Sequence, residues 1–212
     1  MNQGPNTDKT ATSAAPVTLT DRVRALTGGI VSRAGLAVHR LGVHPDAITI
    51  VGLGVVAVGA LLIGQGQFQA GGVLLLLSLP LDALDGAVAR AMQRRDRRGA
   101  VLDSTLDRYA DGLIFGALAY YFGATGQPGY IALTLAALIG TFVVSYVRAR
   151  AGEADLSVKI GLFSRFERVV VLLAMFLVPA LLITGLWILA LGTNITGIQR
   201  LIYVYRHLDR GD

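Results

Sequence analysis

Six apolar runs of bilayer length, separated by breaks that are alternately uncharged and basic, leave this chain few possible folds. The runs lie at roughly 46–64, 70–93, 100–123, 129–150, 166–184 and 186–205, each near the ~20 residues a helix needs to cross a hydrocarbon core. Inside a bilayer the backbone must satisfy its own hydrogen bonds, and a continuous apolar run does so as a helix. The breaks "GQGQFQ", "GATGQPG" and the "TG" at 184–185 hold no Lys or Arg. All 19 basic residues fall instead in the N-terminal stretch, from Arg90 to Arg98, at Arg108, from Arg148 to Arg168, and from Arg200 onward. By the positive-inside rule these regions and both termini face the cytoplasm. The expectation is an all-α integral membrane protein of the cell membrane, with six transmembrane helices in one domain, 42–212.

Composition agrees: with 53% hydrophobic and 16% charged residues, the chain is too apolar for a soluble domain of 212 residues. Without cysteine it can form neither a disulfide nor a thiolate metal site. The net charge of +5 would suit nucleic acid or anionic lipid. Because every basic residue lies on one side, membrane headgroups are the expected partner, and nucleic acid is not. Residues 1–19 are polar and small and read as a disordered arm. Residues 20–41 space Val23, Leu26, Ile30, Ala34, Ala37 and Leu41 as one helical face, with Arg22, Arg24, Arg33 and Arg40 interspersed. That is an N-terminal amphipathic juxtamembrane helix, lying on the membrane surface or packed on the protein's own body. Gly28 and Gly29 weaken it.

Against this background, residues 81–112, "LDALDGAVARAMQRRDRRGAVLDSTLDRYADG", hold six Asp, five of them, Asp82, Asp85, Asp103, Asp107 and Asp111, within the two apolar runs. At 100° per residue Asp82, Asp85, Gly86 and Ala89 share about a third of one helix, and Gly99, Asp103 and Asp107 share a face of the next. If the two helices are antiparallel neighbours, four carboxylates converge just below the cytoplasmic surface, and small residues leave room for a ligand. Converging carboxylates raise one another's pKa and cannot all stay ionised unaided. An all-oxygen set favours Mg²⁺, Mn²⁺ or Ca²⁺, and two such ions would clamp phosphate oxygens for displacement at phosphorus. The plainer alternative is pairing with Arg90, Arg94, Arg95, Arg97, Arg98 and Arg108 as interfacial salt bridges. Acids within a membrane segment favour the functional reading. A divalent-cation transporter is a rival from another class, although the acids gather near one face and do not form a path across.

The string Asp82-x2-Asp85-Gly86-x2-Ala89-Arg90-x8-Gly99-x3-Asp103-x3-Asp107 resembles the signature of the CDP-alcohol phosphotransferases at every fixed position. The resemblance implies six transmembrane helices, a cytoplasmic-side site, a homodimer, and two divalent ions, Mg²⁺ or Mn²⁺. It implies that Asp82, Asp85, Asp103 and Asp107 bind metal, and that Asp107 is also the catalytic base for the acceptor hydroxyl. Gly86, Ala89 and Arg90 would line the cytidine diphosphate site, together with Asp46 and Thr49 from the "Pro-Asp-x-x-Thr" at 45–49. The reaction expected is transfer of the phosphatidyl group from CDP-diacylglycerol to a hydroxyl, with release of CMP. Asp111 lies outside the signature and receives no role.

For the acceptor, Arg148 and Arg200 sit within helical runs, where a guanidinium favours a bidentate anion such as phosphate. Ser145-Tyr146-Val147-Arg148-Ala149-Arg150, Ser164-Arg165-Phe166-Glu167-Arg168 and Gln199-Arg200 are similar to the acceptor segments of bacterial phosphatidylinositol phosphate synthases. Arg148 stands where a Lys is usual, and Ser164 where an acid is. The implied acceptor is inositol 1-phosphate or a similar phosphorylated polyol, held by Arg148, Arg165 and Arg200, with Arg150 and Arg168 nearby. Glycerol 3-phosphate is the alternative, since it too carries a phosphate.

Overall fold

Proline and glycine mark most of the places where the backbone turns. The computed structural model describes residue 29 and residues 33–38, 40–92, 97–158 and 160–208. Helix α1 (Pro45–Gly64) begins with Pro45, whose missing N–H costs nothing in a first turn, and the His44 ring caps the Asp46 N–H at 3.3 Å. Asp46 adds negative charge at the positive end of the helix. Gly66, at φ +80°, turns the chain into α2 (Phe68–Ala91). Next come α3 (Arg97–Ala124), a turn at Gly126, and α4 (Pro128–Glu153). Helix α5 (Arg165–Leu177) opens with a capping box in which Ser164 and Glu167 each bond the other's backbone N–H. A 3-10 turn (Pro179–Leu181) leads into α6 (Leu182–Leu208). No strand occurs among the described residues.

The six helices follow the six apolar runs in order. Four segments are long and apolar enough to cross a membrane, Pro45–Gly64, Phe68–Ala89, Pro128–Glu153 and Pro179–Leu208, which makes this a multi-pass membrane protein. The N-terminal half of α3 is charged, carrying Arg97, Arg98, Asp103, Asp107, Arg108 and Asp111. Helix α5 has 13 residues, so at 1.5 Å per residue it extends for only about 20 Å. The break expected at Thr184 and Gly185 lies earlier. Pro179 has no N–H to continue the ladder and pushes Val178 out of the helical region, to φ −118° and ψ 88°. Gly185 instead stays helical, pressed against α5, where an added Cβ would lie 2.7 Å from the Met175 Cβ.

Packing is also reorganised around α1. Close contacts run between α1 and α2, α1 and α3, α3 and α4, α4 and α6, α2 and α5, and α5 and α6. Among the described residues α2 and α3 are not a closely packed pair, contrary to the expectation of neighbouring helices. Helix α1 lies against both. Gly71 allows α1 and α2 to close up, since a Cβ there would meet the Gly59 carbonyl oxygen at 2.7 Å. The interior is filled by Phe115, Leu118, Phe122, Met175, Phe176, Leu186 and Leu189. Ile50, Val58, Leu61, Leu77, Ile139, Trp187 and Ile198 point outward, an apolar exterior suited to lipid.

Ahead of α1, residues 33–38 are helical and rest on α2, where a Cβ on buried Gly35 would lie 2.6 Å from that of Ala87. The expected arm 1–19 and most of the expected helix 20–41 lie outside the described residues.

Candidate active site

The four signature carboxylates lie close together, Asp103 within electrostatic range of the other three, and they open onto two cavities. Asp85 and Asp103 line one cleft of about 240 Å³, together with Pro45, Asp46, Thr49, Gly86, Ala89, Gly99 and Ala100. Asp82 and Asp107 line a second, smaller cavity of about 80 Å³, whose other charged residues are Arg108, Asp111, Arg165 and Arg168. This alternation follows from helix geometry. Three- and four-residue steps keep the two acids of each helix on one face a turn apart, so each helix gives one acid to each cavity.

In the first cleft, α1 supplies the polar contact. The Thr49 hydroxyl lies 2.8 Å from Asp85 Oδ2 and 3.1 Å from the Pro45 carbonyl oxygen. It has a single proton, and the closer, charged oxygen is the stronger acceptor. Asp85 is buried, whereas Asp103 is exposed and has no hydrogen bond or ion pair among the described residues. Gly86, Ala89 and Gly99 present no bulky side chain, so the cleft keeps its volume. Five residues expected to face CDP-diacylglycerol were Asp46, Thr49, Gly86, Ala89 and Arg90. The first four share this cleft, and the Arg90 side chain lies outside the described residues.

In the second cavity a cation already sits between carboxylates. Arg165, the first residue of α5, donates from Nη2 to Asp82 Oδ2 at 3.0 Å and from Nη1 to Asp107 Oδ2. The pairing partners considered from sequence were the arginines between α2 and α3. Arg165 is instead 83 residues from Asp82 and 58 from Asp107, and charge complementarity was the only signal that could have indicated it. Asp111, without a role by sequence, pairs with Arg168, whose Nη1 lies 3.6 Å from its Oδ2 and 3.3 Å from the Thr141 carbonyl oxygen.

Of the remaining acceptor residues, Arg200 stands within electrostatic range of both Arg148 and Arg168. Arg200 is 5% exposed and donates to the carbonyl oxygens of Ile160 and Val144, both at 2.9 Å. Arg148 lines a separate cavity of about 360 Å³ with Gly152, Asp155, Leu156, Ser157 and Val158. Arg150 is exposed and pairs with Glu153. The structure therefore brings Arg165 and Arg168 together beside Asp107, places Arg200 in range of Arg168 and Arg148, and leaves Arg150 paired with Glu153.

Among the described residues no three acidic or histidine side chains are drawn together tightly enough to hold a metal ion. The donor chemistry nevertheless fits a hard divalent cation, since the facing groups are all carboxylate oxygens. The bridging guanidinium also marks the space between Asp82 and Asp107 as one that positive charge occupies.

Comparison with known proteins points the same way. A family pattern described as CDP-alcohol phosphatidyltransferase matches residues 42–198. The phosphatidylinositol phosphate synthase of Streptomyces avermitilis is 39% identical over 187 residues, covering 82% of this chain and 77% of that protein. The protein of the same name from Mycobacteroides abscessus is 40% identical over 174 residues, covering 78% and 79%. Among solved structures, Mycobacterium tuberculosis phosphatidylinositol phosphate synthase with CDP-DAG bound aligns with a TM-score of 0.78 at 34% identity, covering 83% of this chain and 94% of that one. A crystal structure of that synthase in complex with manganese and citrate aligns with a TM-score of 0.77, covering 82% and 88%.

Proposed function

This chain belongs to the CDP-alcohol phosphatidyltransferase family, a family of transferases of substituted phosphate groups, and on that footing we propose that it moves the phosphatidyl group of CDP-diacylglycerol to a hydroxyl of inositol 1-phosphate. The products are phosphatidylinositol phosphate and CMP. The observation that carries this reading is the pair of cavities on the same two carboxylate-bearing turns. One is lined by small residues and Thr49, as a nucleotide requires, and the other sets Arg165 against Asp107. The names of the relatives favour a phosphorylated inositol as acceptor.

In this reading Asp46, Thr49, Gly86, Ala89 and Arg90 receive the cytidine diphosphate portion of the lipid. Asp82, Asp85, Asp103 and Asp107 would hold two divalent ions, Mg²⁺ or Mn²⁺, whose chemistry is to neutralise diphosphate charge. Arg165 grips the acceptor phosphate, with Arg168, Arg148, Arg150 and Arg200 adding positive charge along its approach. Asp107 takes the proton of the acceptor hydroxyl as its oxygen attacks the phosphatidyl phosphorus. The bond from that phosphorus to CMP breaks, and the electron pair leaves with CMP. A carboxylate suffices as the base because the hydroxyl is held in line by its own phosphate. All six helices would span the membrane, α3 and α5 through protein contacts where lipid alone would reject them. The site and both termini would face the cytoplasm, and the assembly would be a homodimer.

The rival acceptor is glycerol 3-phosphate, which would give phosphatidylglycerol phosphate by the same chemistry. Membership of an enzyme family removes the support for a cation transporter. The test is CMP release by purified protein with CDP-diacylglycerol, Mg²⁺ or Mn²⁺, and each acceptor separately. Release should be fastest with inositol 1-phosphate and should stop on chelation. Faster release with glycerol 3-phosphate would reassign the acceptor, and none with any acceptor would end the proposal.

A further inference from the structure

Every charged side chain lining the smaller cavity is committed or buried without a partner. Its acids are Asp82, Asp107 and Asp111 and its bases are Arg108, Arg165 and Arg168, so the cavity is formally neutral. Arg165 spends both terminal nitrogens on Asp82 and Asp107. Arg168 is pinned by Asp111 and the Thr141 carbonyl, with its side chain 8% exposed. The Nε–H groups of Arg108 and Arg168 are nonetheless buried with no hydrogen-bond partner among the described residues. Both residues line the cavity, although these two nitrogens are themselves closed off, and the Thr141 hydroxyl is likewise buried without a partner, so the polar groups around Arg168 are incompletely satisfied as they stand.

We propose that Arg108, Arg165 and Arg168 form a phosphomonoester subsite that opens only when Asp82 and Asp107 are engaged by a divalent cation. The inference rests on the function proposed above and adds Arg108 and a coupling to it. A neutral cavity gives a phosphate dianion no net attraction, and the Arg165 nitrogens cannot serve two carboxylates and a phosphate together. A cation at Asp82 and Asp107 replaces Arg165 as their counter-charge. Three arginines are then left against Asp111 alone, a surplus of positive charge matching a dianion. Linkage makes the effect reciprocal, so phosphate that captures Arg165 must tighten cation binding by the same factor.

The test is Mn²⁺ binding to the detergent-solubilised full chain, followed by the electron paramagnetic resonance of free Mn²⁺, with and without inorganic phosphate. In the unmodified protein phosphate should raise Mn²⁺ affinity about fivefold or more, the lower range of allosteric couplings. Arg165→Ala should bind Mn²⁺ more tightly than the unmodified protein without phosphate and lose most of the phosphate effect. Arg108→Ala, compared with its own affinity without phosphate, should lose part of the effect. Arg165→Lys keeps the charge but cannot span two carboxylates, so it should fall between, and it serves if the alanine variant does not fold. Equal phosphate effects in all variants would mean that phosphate meets the ion directly, and would overturn the subsite. So would Arg165 variants that bind Mn²⁺ like the unmodified protein. Either result would leave CMP release untouched, whereas failure of CMP release would end the functional reading and leave these affinities standing.

Discussion

Replacing Asp111 by leucine strips the counter-charge from Arg168, a guanidinium whose side chain is 8% exposed and whose other contact is one carbonyl oxygen at 3.3 Å. Breaking a buried pair from one side costs about 3–5 kcal/mol, because the remaining charge stays buried and uncompensated. Here the Asp111 side chain is 21% exposed and the pair is 3.6 Å apart, so about 2–3 kcal/mol is the reasonable range. For a chain of this size that is a fall in Tm of roughly 4–12 °C at about 2–4 °C per kcal/mol. Replacing both partners, Asp111→Leu with Arg168→Met, removes the stranded charge and should recover most of the loss. Thermal unfolding in one detergent, followed by intrinsic fluorescence, compares the parent with both variants. Acceptor affinity should not recover in the double variant, because Arg168 is absent from it. A single variant as stable as the parent, or a double variant no better than the single, would refute the assignment of Asp111 as the partner that holds Arg168.

Other perturbations probe separate parts of the site. Asp107→Asn should lower CMP release by about 10²–10⁴-fold, the usual contribution of a positioned general base, while Mn²⁺ binding by the remaining carboxylates persists. Thr49→Val removes a 2.8 Å hydrogen bond to a buried carboxylate. At about 1.5–3 kcal/mol for a bond to a charged group, it should raise KM for CDP-diacylglycerol roughly tenfold or more in steady-state assays, with the acceptor KM little changed. Gly140→Val drives a side chain from α4 into α6, where even a Cβ would lie 2.2 Å from Thr193 Oγ1 and 2.9 Å from the Asn194 backbone nitrogen. Overpacking of that kind costs about 1–3 kcal/mol and should appear as a lower Tm.

What the sequence discloses here is what repeats within one element. Hydropathy alone gives six helices in order, and the three- and four-residue spacing of Asp82, Asp85, Asp103 and Asp107 gives their shared faces. The proline and glycine turns at Pro45, Gly66 and Gly126 are local too, and so is the capping box of Ser164 and Glu167. The break between α5 and α6 lies earlier than Thr184 and Gly185, although its cause is local. Thr184 and Gly185 look like a turn, but Pro179 removes an N–H outright, while Gly185 only lacks a side chain and is used for packing against Met175. What cannot be read locally is which helix stands between which. Consecutive helices α2 and α3 touch little and both pack on α1, so the four acids face two cavities, although Asp103 lies within electrostatic range of the other three. The partner of Asp82 and Asp107 is hidden for the same reason. The six arginines from Arg90 to Arg108 all lie closer in sequence than Arg165, and all would satisfy a charge count. Only the docking of α5 against α2 selects Arg165. That selection has a chemical consequence that proximity in sequence could not supply. An arginine delivered by a separate helix can leave the carboxylates without unwinding the turns that carry them, which a phosphate-binding residue beside a metal site requires.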